Sequence, residues 1–231
     1  MQELKKPYEW IVFDAVGTLI YPQPSVAEAY AEIGHRYGSQ YAVEQIGKRF
    51  RKAFYNSEAT DCDSESGFVT SEEIEVRRWQ LVVAEVLDDV SDPAACFADL
   101  FEHFGGASTW ACFDDVASTL TWMNQRHQQI AIASNFDRRL NDVCDGLAPL
   151  ASISTRVVSS EVGYRKPSQH FFDALIERLQ TSPNNILLIG DDPVNDIQGG
   201  QAAGLDVLRI DRKAASSAYG VIRSLTELRF E

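Results

Sequence analysis

The chain has 231 residues, 45% of them hydrophobic, and a formal net charge of -13 at pH 7. That length suits one large domain or a core domain with a substantial insertion, and the acidic balance argues against a nucleic-acid binder, which needs a basic footprint on the phosphates. It leaves room for a small anionic substrate at a local positive site. No run approaches the roughly 20 apolar residues of a membrane span, and residues 1–9 lack an apolar signal core. The four cysteines, Cys62, Cys96, Cys112 and Cys144, are far apart and form no C-x-x-C pair. Free thiols in a reducing cytoplasm are therefore expected, and the oligomeric state stays open.

In chain order, residues 10–13 form a short apolar run rich in aromatic and β-branched types, which predicts a buried strand. The run ends on a carboxylate, Asp14, and Gly17 follows three residues later. Pro22 and Pro24 then break the chain. Ser25 reads as the N-cap of a helix reaching Tyr37, with Gly38 as its stop. Further helices are predicted over 42–56, over 72–87 behind a Thr70 or Ser71 cap, and over 93–104. The helix over 72–87 is expected to turn Ile74, Trp79, Val82, Val83 and Val86 to the core. The acidic stretch 57–67 between the second and third helices reads as a loop. Four successive helices without a strand suggest a helical bundle inserted after the first strand.

From about Asp114 the pattern becomes alternating. Helices are predicted over 115–126, 138–147, 168–179 and 194–203, and strands over 129–134, 153–158, 185–190 and 206–210. Strands alternating with helices mean right-handed crossovers and a parallel sheet. The expected fold is α/β, a doubly wound parallel-sheet core from residues 1–21 and 107–231 with the helical insertion at 22–106.

The chemistry collects at four strand ends. The first gives Asp14 and Thr18, the second Ser134 and Asn135. The third region, Gly163 to Pro167, gives Arg165 and Lys166, and the fourth gives Asp191, Asp192 and Asp196. Parallel strands bring such ends to one edge of the sheet, where ligands bind. The set suits phosphoryl transfer, which is mostly positioning and electrostatic stabilisation. Asp14 is the candidate nucleophile. A hard divalent cation, Mg²⁺, would separate its charge from the phosphate, with Asp191 as the second carboxylate. Lys166 and Ser134 would bind the phosphate oxygens.

These segments, Asp14-Ala-Val-Gly-Thr18, Ser134-Asn135, Arg165-Lys166-Pro167 and Gly190-Asp191-Asp192 with Asp196, resemble the four motifs of the haloacid dehalogenase superfamily of hydrolases. The insertion resembles that superfamily's helical type 1 cap, and the wording around Asp14 and Trp79 is similar to its haloacid-dehalogenase-like hydrolase domain-containing branch. The resemblance implies a Rossmann-like core and an aspartyl-phosphate mechanism. Asp14, the Val16 carbonyl and Asp191 would hold Mg²⁺, supported by Asp192 or Asp196. Ser134, Asn135 and Lys166 would bind substrate, and Thr18 would shape the site.

One departure stands out. Phosphatases of the superfamily usually carry a second aspartate two residues after the nucleophile, as the acid that protonates the leaving alcohol. Here that residue is Val16, so acid–base help typically worth about 10² to 10⁴ in rate has no evident source. Three other readings follow. A 2-haloacid dehalogenase would use Asp14 without a metal, but Asp191 and Asp192 favour a cation. A phosphonatase would need a cap lysine, and Lys48 and Lys52 read as a solvated basic face. A phosphate-binding protein with little turnover would keep the pocket alone. His35, His103, His127 and His170 have no ligand spacing, and Trp79, Trp110 and Trp122 read as packing. Asp61, Asp63 and Glu65 in the acidic stretch are candidates for the missing acid.

Overall fold

The computed structural model describes residues 2–3, 6–62, 68–216 and 220–229. In chain order these form strands β1 (Gln2–Glu3), β2 (Trp10–Phe13) and β3 (Ile20–Pro22), then helices α1 (Val26–Arg36), α2 (Val43–Cys62), α3 (Glu72–Val86) and α4 (Pro93–His103). There follow β4 (Trp110–Cys112), α5 (Val116–Asn124), β5 (Gln129–Ser134), α6 (Arg139–Gly146), β6 (Thr155–Val158), α7 (Ser159–Val162) and α8 (Gln169–Leu179). Strand β7 (Ile186–Gly190) leads through a π-helical turn, Pro193–Gln198, into α9 (Gly199–Ala202), and β8 (Asp206–Ile210), β9 (Val221–Ile222) and β10 (Leu228–Arg229) complete the chain.

The main sheet has six strands in the order β6-β5-β2-β7-β8-β9, and every pair in it is parallel. The expected doubly wound α/β core is therefore present, with β9 as a sixth strand that two residues of sequence are too short to announce. Strand β2 sits in the middle because both its faces are apolar. Ile11 and Phe13 join one buried cluster with Leu120, Met123, Leu140 and Val143 of α5 and α6. Val12 joins the other with Phe171, Phe172 and Leu175 of α8. A strand covered on both faces shows a continuous apolar run rather than alternation. Phe13 lies level with Ile132 on β5 and Ile189 on β7, so the residues that follow all three strands emerge at the same edge.

Helices α1–α4 bury a third cluster of their own, built on Tyr30, Ile33, Ile46, Val82, Val86 and Leu100. Ser25 caps α1 in a reciprocal box with Glu28, and Ser71 rather than Thr70 caps α3 by accepting from the Ile74 amide. The chain enters and leaves this bundle through a two-stranded antiparallel ribbon, β3 with β4, in which Pro22 pairs with Trp110. Neither strand of that ribbon was predicted.

Two expectations change. Helix α2 runs on to Cys62, so the first part of the acidic stretch is helical and Glu58 is a helix residue. On α3, Ile74 is exposed, whereas Glu75 and Arg78 are buried. The first two turns of α3 face the sheet edge instead of the bundle interior, and the charged residues there find partners described below. Cys96, Cys112 and Cys144 are free thiols. No helix among the described residues is long and apolar enough to cross a membrane.

Candidate active site

Asp14 follows β2 directly, and its amide donates to the Ile189 carbonyl at 2.9 Å, which continues the β2–β7 ladder into the loop. The chain then folds back sharply. The Gly17 amide donates to Ile20, and the Leu19 and Ile20 amides both donate to the Ala15 carbonyl. Gly17 sits at φ +92°, and a Cβ there would lie 2.4 Å from an Asp191 carboxylate oxygen. Only glycine meets both conditions. Gly190 plays a similar part on β7, because a Cβ there would fall 2.3 Å from the Asp196 carboxyl group.

Lys166 is the centre of the arrangement. Its Nζ donates to Asp14 Oδ1 at 2.8 Å, to Asp196 Oδ1 at 2.6 Å and to the Ala133 carbonyl at 2.8 Å. These use all three ammonium donors. Burial alone would lower the Lys166 pKa, but the Asp14 and Asp196 carboxylates outweigh it and hold the group above its ordinary value. The neighbouring backbone is clamped by Asn135, whose Oδ1 accepts from the Lys166 amide at 2.8 Å and whose Nδ2 donates to the Lys166 carbonyl at 2.9 Å. Ser134 Oγ donates to Asp14 Oδ1 at 3.3 Å.

Ligand atoms of Asp14, Asp191 and Asp196 lie within 4.8 Å of one another. Their environments differ. Both oxygens of Asp196 are engaged, one by Lys166 and the other by the Asp192 amide at 3.0 Å. Among the described residues no N–H or O–H donates to the Asp191 carboxylate, which lies close to Asp14, nor to the Val16 carbonyl. Burial, then Asp14, then Asp196 push the Asp191 pKa up to about 7, and burial leads again in raising Asp196 to about 6. Three carboxylates against a single ammonium make a donor set that fits a hard divalent cation.

The other predicted site residues fall around this cluster. Asp192 turns away from it. Its Oδ1 accepts from the Val194 and Asn195 amides at 2.8 and 2.7 Å and caps the π-helical turn. Such turns are frequent at functional sites, and this one places Asp196 under Lys166. Thr18 is fully buried beneath the loop, and its carbonyl accepts from Arg212 at 2.6 Å.

A cavity of about 930 Å³ opens between this edge and α1–α4. Its floor is Asp14, Ser134, Lys166 and Asp191, and its far wall is aromatic, including Phe50, Phe54 and Trp79. One flank carries a cluster that sequence reasoning missed. Glu58 binds both Arg165 and Arg78, Arg78 and Arg165 each lie 3.7 Å from Glu75, and Thr70 Oγ1 donates to Glu75 at 2.6 Å. The available signal was the i, i+3 spacing of Glu75 and Arg78 one turn ahead of an apolar stripe. Residues 68–70 pair with 163–165 through amide bonds of 2.9 and 3.0 Å, which ties α3 to the segment carrying Lys166. Lys48 and Lys52 are exposed and line no part of the cavity, and His170 is an exposed residue whose ring meets Tyr164 at a tilt. The side chains of Asp61, Asp63 and Glu65 lie outside the described residues.

The model of the haloacid dehalogenase-like hydrolases matches residues 8–204, which includes every strand end described above. The chain belongs to that family. It is a hydrolase of haloacid dehalogenase type. A relative named haloacid dehalogenase-like hydrolase domain-containing protein 3, from Danio rerio, is 25% identical over 97% of this chain and 96% of its own length. The structure of the hydrolase YfnB from Bacillus subtilis bound to magnesium superposes with a TM-score of 0.74 at 24% identity, covering 96% of this chain and 97% of that one. A dehalogenase with an intermediate complex superposes with a TM-score of 0.73 at 18% identity, covering 97% and 96%. These likenesses concern the fold, and the chemistry falls to the residues of the site.

Proposed function

We propose that this hydrolase is a Mg²⁺-dependent phosphatase acting on a small phosphorylated compound through an aspartyl-phosphate intermediate on Asp14. The observation that carries the proposal is charge balance. Asp14, Asp191 and Asp196 converge with Lys166 as the only cation among them in the described residues. A phosphate brings more negative charge to the same point, and that is tolerable only with further positive charge between. When bound, Mg²⁺ supplies that charge and polarises a phosphoryl oxygen. Asp14, Asp191 and the Val16 carbonyl would hold it, with Asp192 and Asp196 behind them. Ser134 would donate to the phosphate, Lys166 would place its positive charge beside it, Asn135 would hold the Lys166 backbone in position, and Thr18 would support the loop from below. Asp14 Oδ1 is held by Lys166 and Ser134, which leaves Oδ2 to attack phosphorus. The bond to the leaving oxygen breaks, and water then cleaves the acyl phosphate and restores the carboxylate. Residues 22–106 would act as a cap that closes over the cavity and excludes water. A metal-free dehalogenase is the weaker reading, because the Asp191 charge would then face Asp14 uncompensated. A reducing, cytoplasmic setting suits the free thiols of Cys96, Cys112 and Cys144.

The test is a hydrolysis screen with and without EDTA, on acetyl phosphate, phosphate esters and L-2-chloropropionate. Phosphate release that EDTA abolishes is expected, and chloride release unaffected by EDTA would overturn the assignment. Asp191→Asn should raise the Mg²⁺ concentration for half-maximal rate by at least about tenfold.

A linked expectation concerns pH. Asp191 and Asp196 titrate at about 7 and about 6 in the metal-free protein, against an ordinary value of 3.8. Between these values the folded chain binds more protons than the unfolded one, so metal-free stability falls as pH rises from about 4 to about 7. Mg²⁺ binding requires the ionised carboxylates, so its stabilising effect should grow over that range. Urea denaturation at pH 5.5 and 7.5, with EDTA or with Mg²⁺, measures both slopes. A Mg²⁺ effect that shrinks with rising pH would contradict the ligand set.

A further inference from the structure

The cavity wall opposite Asp14 is built for a flat apolar group. Phe50 and Phe54, one turn apart on α2, stack with centroids 5.8 Å apart and an interplanar angle of 15°. Trp79 of α3 continues the stack at 6.1 Å from Phe54 and 30°. The Phe54 side chain is 38% exposed, an unusual condition for a phenylalanine, and it is exposed into the cavity. Most of the charges on the flank are already paired, Arg51 being the exception among the described residues. Arg78 and Arg165 are bound to Glu58 and Glu75, and Arg139 is bound to Asp137 at 2.7 Å. A substrate body with phosphates, carboxylates or many hydroxyls would leave its own polar groups unpaired against this wall.

Among the described residues, no carboxyl group on the leaving-group side of this cavity is free to give up a proton. Val16 points into it, 36% exposed. Among the described residues, Glu58 and Glu75 are occupied by guanidinium groups and accept rather than donate. Asp192 is occupied by the amides it caps, and Asp196 by Lys166. With no carboxyl acid there, a leaving oxygen that can depart as an anion is favoured. That is feasible for a phenol, whose pKa is about 10, and difficult for an alkanol, whose pKa is near that of water, about 15.7.

Two independent features, a stacking wall and the lack of a free carboxyl acid among the described residues, thus favour the same kind of leaving group. We propose that the substrate is an aryl phosphate, with its phosphate at Asp14 and Ser134 beside the Lys166 charge and its ring against Phe50, Phe54 and Trp79. This rests on the phosphatase reading above and names its substrate class. Asp14 forms the O–P bond as the P–O(aryl) bond breaks, and the electron pair leaves on the aryloxide, which is protonated by solvent. Water then attacks the phosphoaspartate, and the products are the phenol and inorganic phosphate.

The experiment compares kcat/KM, with Mg²⁺ present, for phenyl phosphate, a series of ring-substituted phenyl phosphates, glycerol phosphate and acetyl phosphate. Phenyl phosphate should exceed glycerol phosphate by at least about 100-fold, and log(kcat/KM) within the aryl series should fall steeply as the phenol pKa rises. Phe54→Ala should lower the phenyl-to-acetyl ratio about tenfold, chiefly through KM for phenyl phosphate. Val16→Asp should flatten the leaving-group dependence by supplying a proton. Acetyl phosphate turnover with glycerol phosphate as good as phenyl phosphate would overturn the aryl assignment and leave the phosphatase standing. No phosphate release from any of the compounds would overturn both.

Discussion

Asp14→Asn is expected to abolish hydrolysis, with a loss of at least about 10³-fold in kcat. The amide nitrogen's lone pair is delocalised into the carbonyl and the amide oxygen is a poor nucleophile, so the covalent route closes. The same change tests the electrostatics of the site independently of turnover. Asp14 is a leading charge, second to burial, in the raised pKa of Asp191 and a contributor to that of Asp196. Neutralising it should bring both values down, and it should weaken Mg²⁺ binding at once because a ligand charge is lost. The fold should survive, since the Asp14 amide still bonds Ile189 and Lys166 keeps Asp196 and the Ala133 carbonyl. The measurements are steady-state phosphate release, calorimetric Mg²⁺ titration and far-UV circular dichroism. A folded Asp14→Asn protein that retains full phosphate release would remove Asp14 from the mechanism altogether.

The sheet was legible because its signals are local. Residues 10–13, 129–134 and 186–190 are short apolar runs ended by a turn, and each strand stops on or one residue before a candidate site residue. The convergence of Asp14, Ser134, Lys166 and Asp191 followed from strand direction alone, since parallel strands share one exit edge. What escaped reading depends on partners distant in sequence. The ribbon of β3 and β4 joins Ile20–Pro22 to Trp110–Cys112 across the whole helical insertion, and neither half has a pattern of its own. Glu75 and Arg78 look like solvent-facing helix charges until Arg165, nearly ninety residues later, is brought against them. Phe54 and Trp79 look like ordinary core positions, because helical periodicity cannot separate a face that packs on a neighbour from one that lines a cavity. Asp192 and Asp196 are equivalent acids on paper. The π-helical turn distinguishes them, sending one to cap the backbone and the other under Lys166.

Lys166→Met should be the most destabilising single change at this site, by about 3 to 5 kcal/mol, the range for removing one partner of a buried ion pair. The Lys166 side chain is 2% exposed and neutralises two carboxylates, of which Asp196 is 1% exposed. Without the ammonium, Asp196 and Asp191 lose an interaction that lowers both their pKa values, so each rises further above its unfolded value. Groups with raised folded pKa values contribute stability that is present at low pH and lost as pH climbs. The deficit of the variant relative to wild type should therefore be small near pH 4 and widen toward pH 8. Adding Asp196→Asn to Lys166→Met removes the stranded charge and should restore a substantial part of the loss, a coupling that a double-mutant cycle measures directly. Lys166→Arg should not rescue activity, because a planar guanidinium cannot make the three convergent bonds of the ammonium in so enclosed a space. Urea unfolding at pH 5 and pH 8 in EDTA decides the matter. A deficit that is independent of pH, or a double variant no more stable than Lys166→Met, would mean that the lysine stabilises the fold by packing and not by balancing the carboxylates that set up the chemistry.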